Sequence, residues 1–572
     1  MHPKTKLYRL FADDWKATLE EYPEMATRLG VPNGAHRWTD WSFEAIERRK
    51  KRRHAVFDAL RSIDETKLDA RAAFDCELFR RDLEESLAGE RYPEELLPID
   101  HSRGVQDTIL RLVEMMPRAT ADDLEKIVAR LNAVPCLVNQ TVALMRAGLG
   151  RRVVPARVAI ADVPRQLEHL LSMPETETPM LAAFREPPAS IPGARRAKLR
   201  QAAEQAYRDC VLPSFRHLAE FFRDEYLPGA RRQTSWLELP DGEAWYAHRV
   251  KSFTTTELTP RQLHTLGCNV VRRVKEEMKS LIRRTGFRGG FAAFCHFLRT
   301  DRRFVHPDAA SLLAGYQCLC KRIEPELVRL FGRLPRLPFG VAPVPAHLEQ
   351  SAPAGFYQPG SLAAWRPGWF YVNTYDLTSR PTWVMEALAL HEAVPGHHLQ
   401  GALAQEAEGL PEFRRHGFHG AYVEGWALYA ESLGGELGLL KDPYSKFGQL
   451  SLDALRACRL VFDTGLHAFR WPRAKAIDYL MANSCETRQD AVVDIDYAIT
   501  MPGQVLCYKV GERVIRGLRA EAAGRLGAAF DVRAFHDRVL GEGSLPLEVL
   551  QRRVREWVDA LQALKRPASA TS

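Results

Sequence analysis

Apolar residues return at three- and four-residue spacing over most of this 572-residue chain, and that rhythm commits it to packed helices. The clearest stretch runs Leu124, Ile127, Val128, Leu131, Val134, Val138, Thr141, Val142 and Met145, one face of a long amphipathic helix. Thr120 with Asp123 three residues on supplies a capping-box start, and Pro135 should kink the helix. Thr259-Pro260 opens another, a capping residue followed by proline at the first helical position. The same pattern fills 197–226, 262–284 and 311–331. Residues 337–344 and 369–375 break it. They are aromatic and β-branched, flanked by Gly and Pro, and read as short strands. The expectation is a mainly α fold with a small β-sheet beside the helix that follows it.

With 46% of its residues hydrophobic, the chain can bury a large core. No Gly/Ser-rich or Pro-rich linker interrupts it. Residues 1–565 therefore read as one large helical domain, or two closely joined lobes, 1–250 and 251–565, with 566–572 a disordered tail. The net charge of +8 is a small excess of 80 basic over 72 acidic residues. The one basic run, Arg48 to His54, reads as a solvated helix face, so no nucleic-acid partner is expected. Ten cysteines lie scattered without CxxC pairs, which argues for thiols and against a disulfide framework. No apolar h-region opens the chain, and no interior run reads as a membrane span. On these grounds the expected address is cytoplasmic, with no membrane partner.

The chemistry concentrates in Leu390-His391-Glu392-Ala393-Val394-Pro395-Gly396-His397-His398-Leu399-Gln400, at the end of a helix expected over 382–394. In an ordinary zinc-protease helix, HExxH puts two histidines one turn apart, and the Glu beside the first acts as base toward water. Here Pro395 occupies the second histidine's place. The next histidines lie six and seven residues after His391, roughly 9 to 10 Å along an unbroken helix and too far to share one ion. A Pro395-Gly396 bulge could fold a later histidine back. Gly396-His397 resembles the glycine-histidine end of the HExGH form, which favours His397, with His398 the alternative. The rival reading is a hydrogen-bonded polar network capping a broken helix.

A metal site needs a third protein ligand and an open position. Glu424, in Glu424-Gly425-Trp426-Ala427-Leu428-Tyr429-Ala430-Glu431, follows the motif after a short connector. Glu431 shares its helix face and suits an orienting partner for a ligating imidazole. Hydrolysis also needs donors to an oxyanion, for which His467, Tyr497 and Tyr508 are candidates. Arg366, Arg459 and Lys509 are candidates to hold a substrate carboxylate.

At these residues the sequence resembles the bacterial family catalogued as domain of unknown function 885, grouped with the gluzincin metallopeptidases. The resemblance runs nearly end to end, through Ser252 to Pro260, Arg366-Pro367-Gly368, His391 to Gln400, Glu424-Gly425-Trp426-Ala427, Asp463 to His467 and Pro502-Gly503-Gln504 with Tyr508-Lys509. More broadly it is similar to helical zinc carboxypeptidases and dipeptidases. That resemblance implies a helical zinc-peptidase-like fold with a deep cleft between lobes, and one zinc ion held by His391, His397 and Glu424. It also implies Glu392 as general base and short peptides or small amides as substrates. Two departures bear on substrate recognition: Asp496 stands where a basic residue is expected, and 360–366 lacks an Asp-Gly-Ser before Arg366. Two rivals remain, a metal-dependent enzyme acting on a small amino-acid-like metabolite and a catalytically degenerate scaffold.

Overall fold

The helix starts written in the sequence are where helices begin in the computed structural model, which describes residues 2–32, 34–345, 349 and 352–565. The expected tail, 566–572, lies outside these residues. The chain forms two compact units, Met1–Trp245 and Tyr246–Ser572.

In the first unit Thr120 caps Ala121–Asn132 through a full capping box with Asp123. The helix stops at Ala133, and Val134–Arg151 restarts with Pro135 in its first turn, where a missing N–H costs nothing. This stretch, 121–151, is also apolar enough over 18 residues to qualify as a membrane span. Its Leu124, Ile127, Leu131, Val138, Val142 and Met145 instead fill the unit's core, with Phe215, Phe222 and Tyr226.

The second unit carries the chemistry-bearing residues. Its first long helix, α1 (Pro260–Arg284), starts with a Thr259/Gln262 capping box. Three short strands follow: β1 (Phe339–Pro343), β2 (Gly355–Gln358) and β3 (Gly368–Val372). The order is β1-β3-β2, with β1 parallel and β2 antiparallel to β3. The strands expected over 337–344 and 369–375 are β1 and β3. Then come α2 (Met385–Glu392), α3 (His397–Glu406), α4 (Gly420–Ser432), α5 (Pro443–His467), α6 (Arg488–Thr500) and α7 (Cys507–Leu526). Helix α5 packs along α1, and α4 along α7. The second crossing is backbone on backbone: a Cβ on Gly511 would overlap the carbonyl oxygen of Ala421, and one on Gly425 would strike the Gly511 main chain.

Candidate metal centre

The helix bearing His391 and Glu392 ends at Glu392. Ala393 leaves helical geometry at φ −97°, ψ −109°, and the Val394–Pro395 peptide is cis. Gly396 then turns the chain back over the end of α2 so closely that a Cβ there would overlap the carbonyl oxygens of His391 and Leu390. Only glycine fits such an approach. The indole N–H of Trp426 donates to the Pro395 carbonyl at 2.8 Å, so α4 clamps the break. Helix α3 restarts at His397, whose ring centroid comes to 4.8 Å from that of His391, the two rings nearly perpendicular.

Glu424 meets both imidazoles. Its Oε2 lies 3.7 Å from His391 Nε2 and 3.4 Å from His397 Nε2. The ligand atoms of His391, His397 and Glu424 all fall within 4.8 Å of one another. Tetrahedral ligation at about 2.0–2.1 Å spaces neighbouring ligand atoms by roughly 3.4 Å, so the set is of the right size for one ion. The buried Glu424 Oε2 has no hydrogen-bond partner among the described residues, the condition of an acceptor awaiting a cation. Two histidines and a glutamate are also a donor set that zinc takes. The residues therefore fit a metal ion.

Behind the cluster, Glu431 Oε1 lies 2.8 Å from His391 Nδ1, which leaves Nε2 facing Glu424. Burial would lower the pKa of His391, but the nearby Glu424 carboxylate and the bond to Glu431 overcome that and bring it up to about 9. Burial likewise opposes ionisation of Glu424, yet the two imidazoles hold its carboxyl well below the usual range. For Glu392 burial wins, and its carboxyl is pushed above the usual range despite the pull of His391 and His397.

The other sequence candidates divide. Tyr508 stacks near His391, ring centroids 6.5 Å apart at 16°, and burial keeps its hydroxyl protonated. The Arg459 guanidinium lies 4.7 Å from the Tyr508 ring, with Tyr497 near enough to influence its charge. Arg459 also grips Asp494 with two bonds, at 3.2 Å and 2.6 Å. His398, the alternative ligand, faces the sheet instead: its Nδ1 meets the Tyr357 hydroxyl at 2.9 Å and its ring packs on Phe339. Burial lowers its pKa to about 4, so it anchors the start of α3 as a neutral ring. His467 is fully buried about 12 Å beyond Arg459 along α5, its Nε2 3.0 Å from the Ala498 carbonyl. It joins α5 to α6. Lys509 is enclosed with Asp453 and, at 3.1 Å, Glu512. Arg366 is half-buried beside Tyr371, in a bridge formed with Ser361 ahead of β3. Asp496, one of the two departures, pairs with Arg473 at 2.5 Å and 2.7 Å.

Sequence spacing missed Arg456, one turn before Arg459 on α5. It is 8% exposed, and its guanidinium lies 5.7 Å from the Tyr508 ring centroid. Two arginines one turn apart within the apolar run Leu455 to Val461 were the available signal.

A mainly helical protein with a two-histidine, one-glutamate cluster at a helix break is the class that this fold and site define. The profile of the family described as "Bacterial protein of unknown function (DUF885)" matches residues 23–554, and the chain belongs to that family. No curated protein matches this chain in sequence. Among solved structures it is similar to "the putative lipoprotein from Colwellia psychrerythraea", with 25% identity and a TM-score of 0.93, over 98% of this chain and 100% of that one. It also shares its fold with "a putative lipoprotein of unknown function from Shewanella oneidensis", with 18% identity and a TM-score of 0.72, over 96% and 99% of the two chains.

The first of these similarities overturns the expectation of a cytoplasmic protein with no membrane partner, since the Colwellia protein is described as a "putative lipoprotein". A lipid anchor is a covalent addition and demands no spanning helix. The composition and periodicity of a folded chain therefore carry no sign of it.

Proposed function

We propose that the protein is a zinc-dependent hydrolase of small peptide or amide bonds, of carboxypeptidase- or dipeptidase-like character, in the manner of gluzincins. The observation that supports this is the convergence of His391, His397 and Glu424, with Glu431 behind the first imidazole and Glu392 adjoining it. When bound, zinc would polarise a carbonyl and acidify a water. Glu392 would accept the proton and return it to the leaving amine, a task suited to a carboxyl that burial raises above its usual range. Tyr508, protonated and beside the cluster, would donate to the developing oxyanion, with Tyr497 near it. A cleft leading to the cluster, limiting entry to short chains, belongs to the same reading. The likeness to the Colwellia "putative lipoprotein" supports work at a membrane surface for this chain too.

Elemental analysis of the purified protein should find one zinc per chain. Short peptides and acylated amino acids, followed by mass spectrometry, should be cleaved by the zinc-loaded protein, not after chelation, and again on zinc return. A chain with neither stoichiometric metal nor zinc-restored turnover would make the cluster a polar network.

Zinc uptake should also release about one proton per ion near pH 7. His391 holds a proton below about 9, and a ligating imidazole must be neutral, so zinc affinity rises with pH until that value is passed. Glu424 is already ionised and adds nothing. Calorimetry in buffers of different ionisation enthalpy measures the release; none at pH 7 would mean that His391 is already neutral before the metal arrives.

A further inference from the structure

Three cations lie on α5 and α7 around Tyr508, and two are already satisfied. Arg459 is held by Asp494, and Lys509 by Asp453 and Glu512. Arg456 differs. It is 8% exposed, and its buried Nε–H has no hydrogen-bond partner among the described residues. Its guanidinium covers the Tyr508 ring, and that ring stacks toward His391. The positive charge thus stands one aromatic ring away from the cluster, close enough to act on Glu392. Glu486, a carboxyl that also senses it, is pushed up to about 7 by burial and by Asp490 and Asp494. A buried guanidinium short of acceptors is costly in the free protein, and an arriving anion removes that cost.

We propose that Arg456 anchors a carboxylate of the substrate, so that the site takes acyl-amino acids and short peptides whose free carboxylate lies close to the bond presented to the cluster. The position of that bond rests on the hydrolase reading; the carboxylate contact does not.

The probes are N-acetylglycine and N-acetylglycinamide, which differ in the carboxylate alone. Each is titrated calorimetrically into the protein as purified and after chelation, for the unaltered chain, Arg456→Lys and Arg456→Met. The acid should bind about tenfold tighter than the amide with and without metal. Arg456→Met should abolish that preference and Arg456→Lys should keep part of it, with melting temperatures not lowered. If Arg456→Met does not fold, Arg456→Gln takes its place. Equal binding of acid and amide, including no binding of either, overturns the anchor, as does a preference that survives Arg456→Met. A preference seen only with metal places the carboxylate on the ion; the anchor then fails and the hydrolase reading stands. A preference that persists in a chain with no metal or turnover supports the anchor where the hydrolase reading has failed.

Discussion

Replacing Glu392 by Gln is expected to leave one zinc per chain and to lower turnover by about 10²–10⁴-fold. The amide keeps the shape of a side chain that is 8% exposed, so the helix end and its neighbours stay in place. What disappears is a carboxylate beside the cluster that is neither one of the three converging ligands nor, like Glu431, the partner of the His391 imidazole. Zinc content by elemental analysis and initial rates on the best substrate found decide the matter together. Loss of both would show that the substitution disturbed the ligands. Zinc retained with undiminished hydrolysis would take Glu392 out of proton transfer.

The second large effect is expected from Gly396→Ala. The added methyl would overlap two main-chain carbonyl oxygens, those of His391 and Leu390, and neither can swing aside as a flexible side chain would. The turn must open, which carries His397 away from His391 and strains the bond between Trp426 and Pro395. We expect a stability loss of about 3 kcal/mol together with loss of zinc. Gly401→Ala is the control. It lies on the same short helix with open space where its Cβ would go, and should be neutral or stabilising by up to ~1 kcal/mol. Denaturant unfolding of both variants, with zinc content, separates a local steric effect from a general dislike of alanine in α3. A Gly396→Ala protein that kept its stability and its zinc would mean that the break folds differently.

The sequence made some of this legible for identifiable reasons. Capping boxes at Thr120 and Thr259 are local bonds between residues three apart, so the chemistry that makes them is visible in the string. Glu424 and Glu431 are seven apart on one helix face, and both do face His391. The strand β2 was missed because its four residues, Gly355–Gln358, are too few to show alternation. The surroundings of His467, Lys509 and His398 were out of reach for a different cause. Their partners, Ala498, Asp453 and Tyr357, are 31 to 56 positions away, and only the packing of helices and strands brings them together. The choice between His397 and His398 had the same character. It turned on which of two adjacent side chains faces the sheet once Gly396 has reversed the chain.

The backbone contact between Gly425 and Gly511 has a mechanical consequence. Where two helices touch through their peptide units, no compressible layer of side chains lies between them, so neither can slide or lean without breaking main-chain contact. Glu424 adjoins one glycine and Tyr508 sits one turn from the other, so carboxylate and phenol ride on what amounts to a single stiff strut. Breathing that widens the approach for a bulkier guest has to come from the other walls, and the spacing between these two groups should be nearly independent of what is bound.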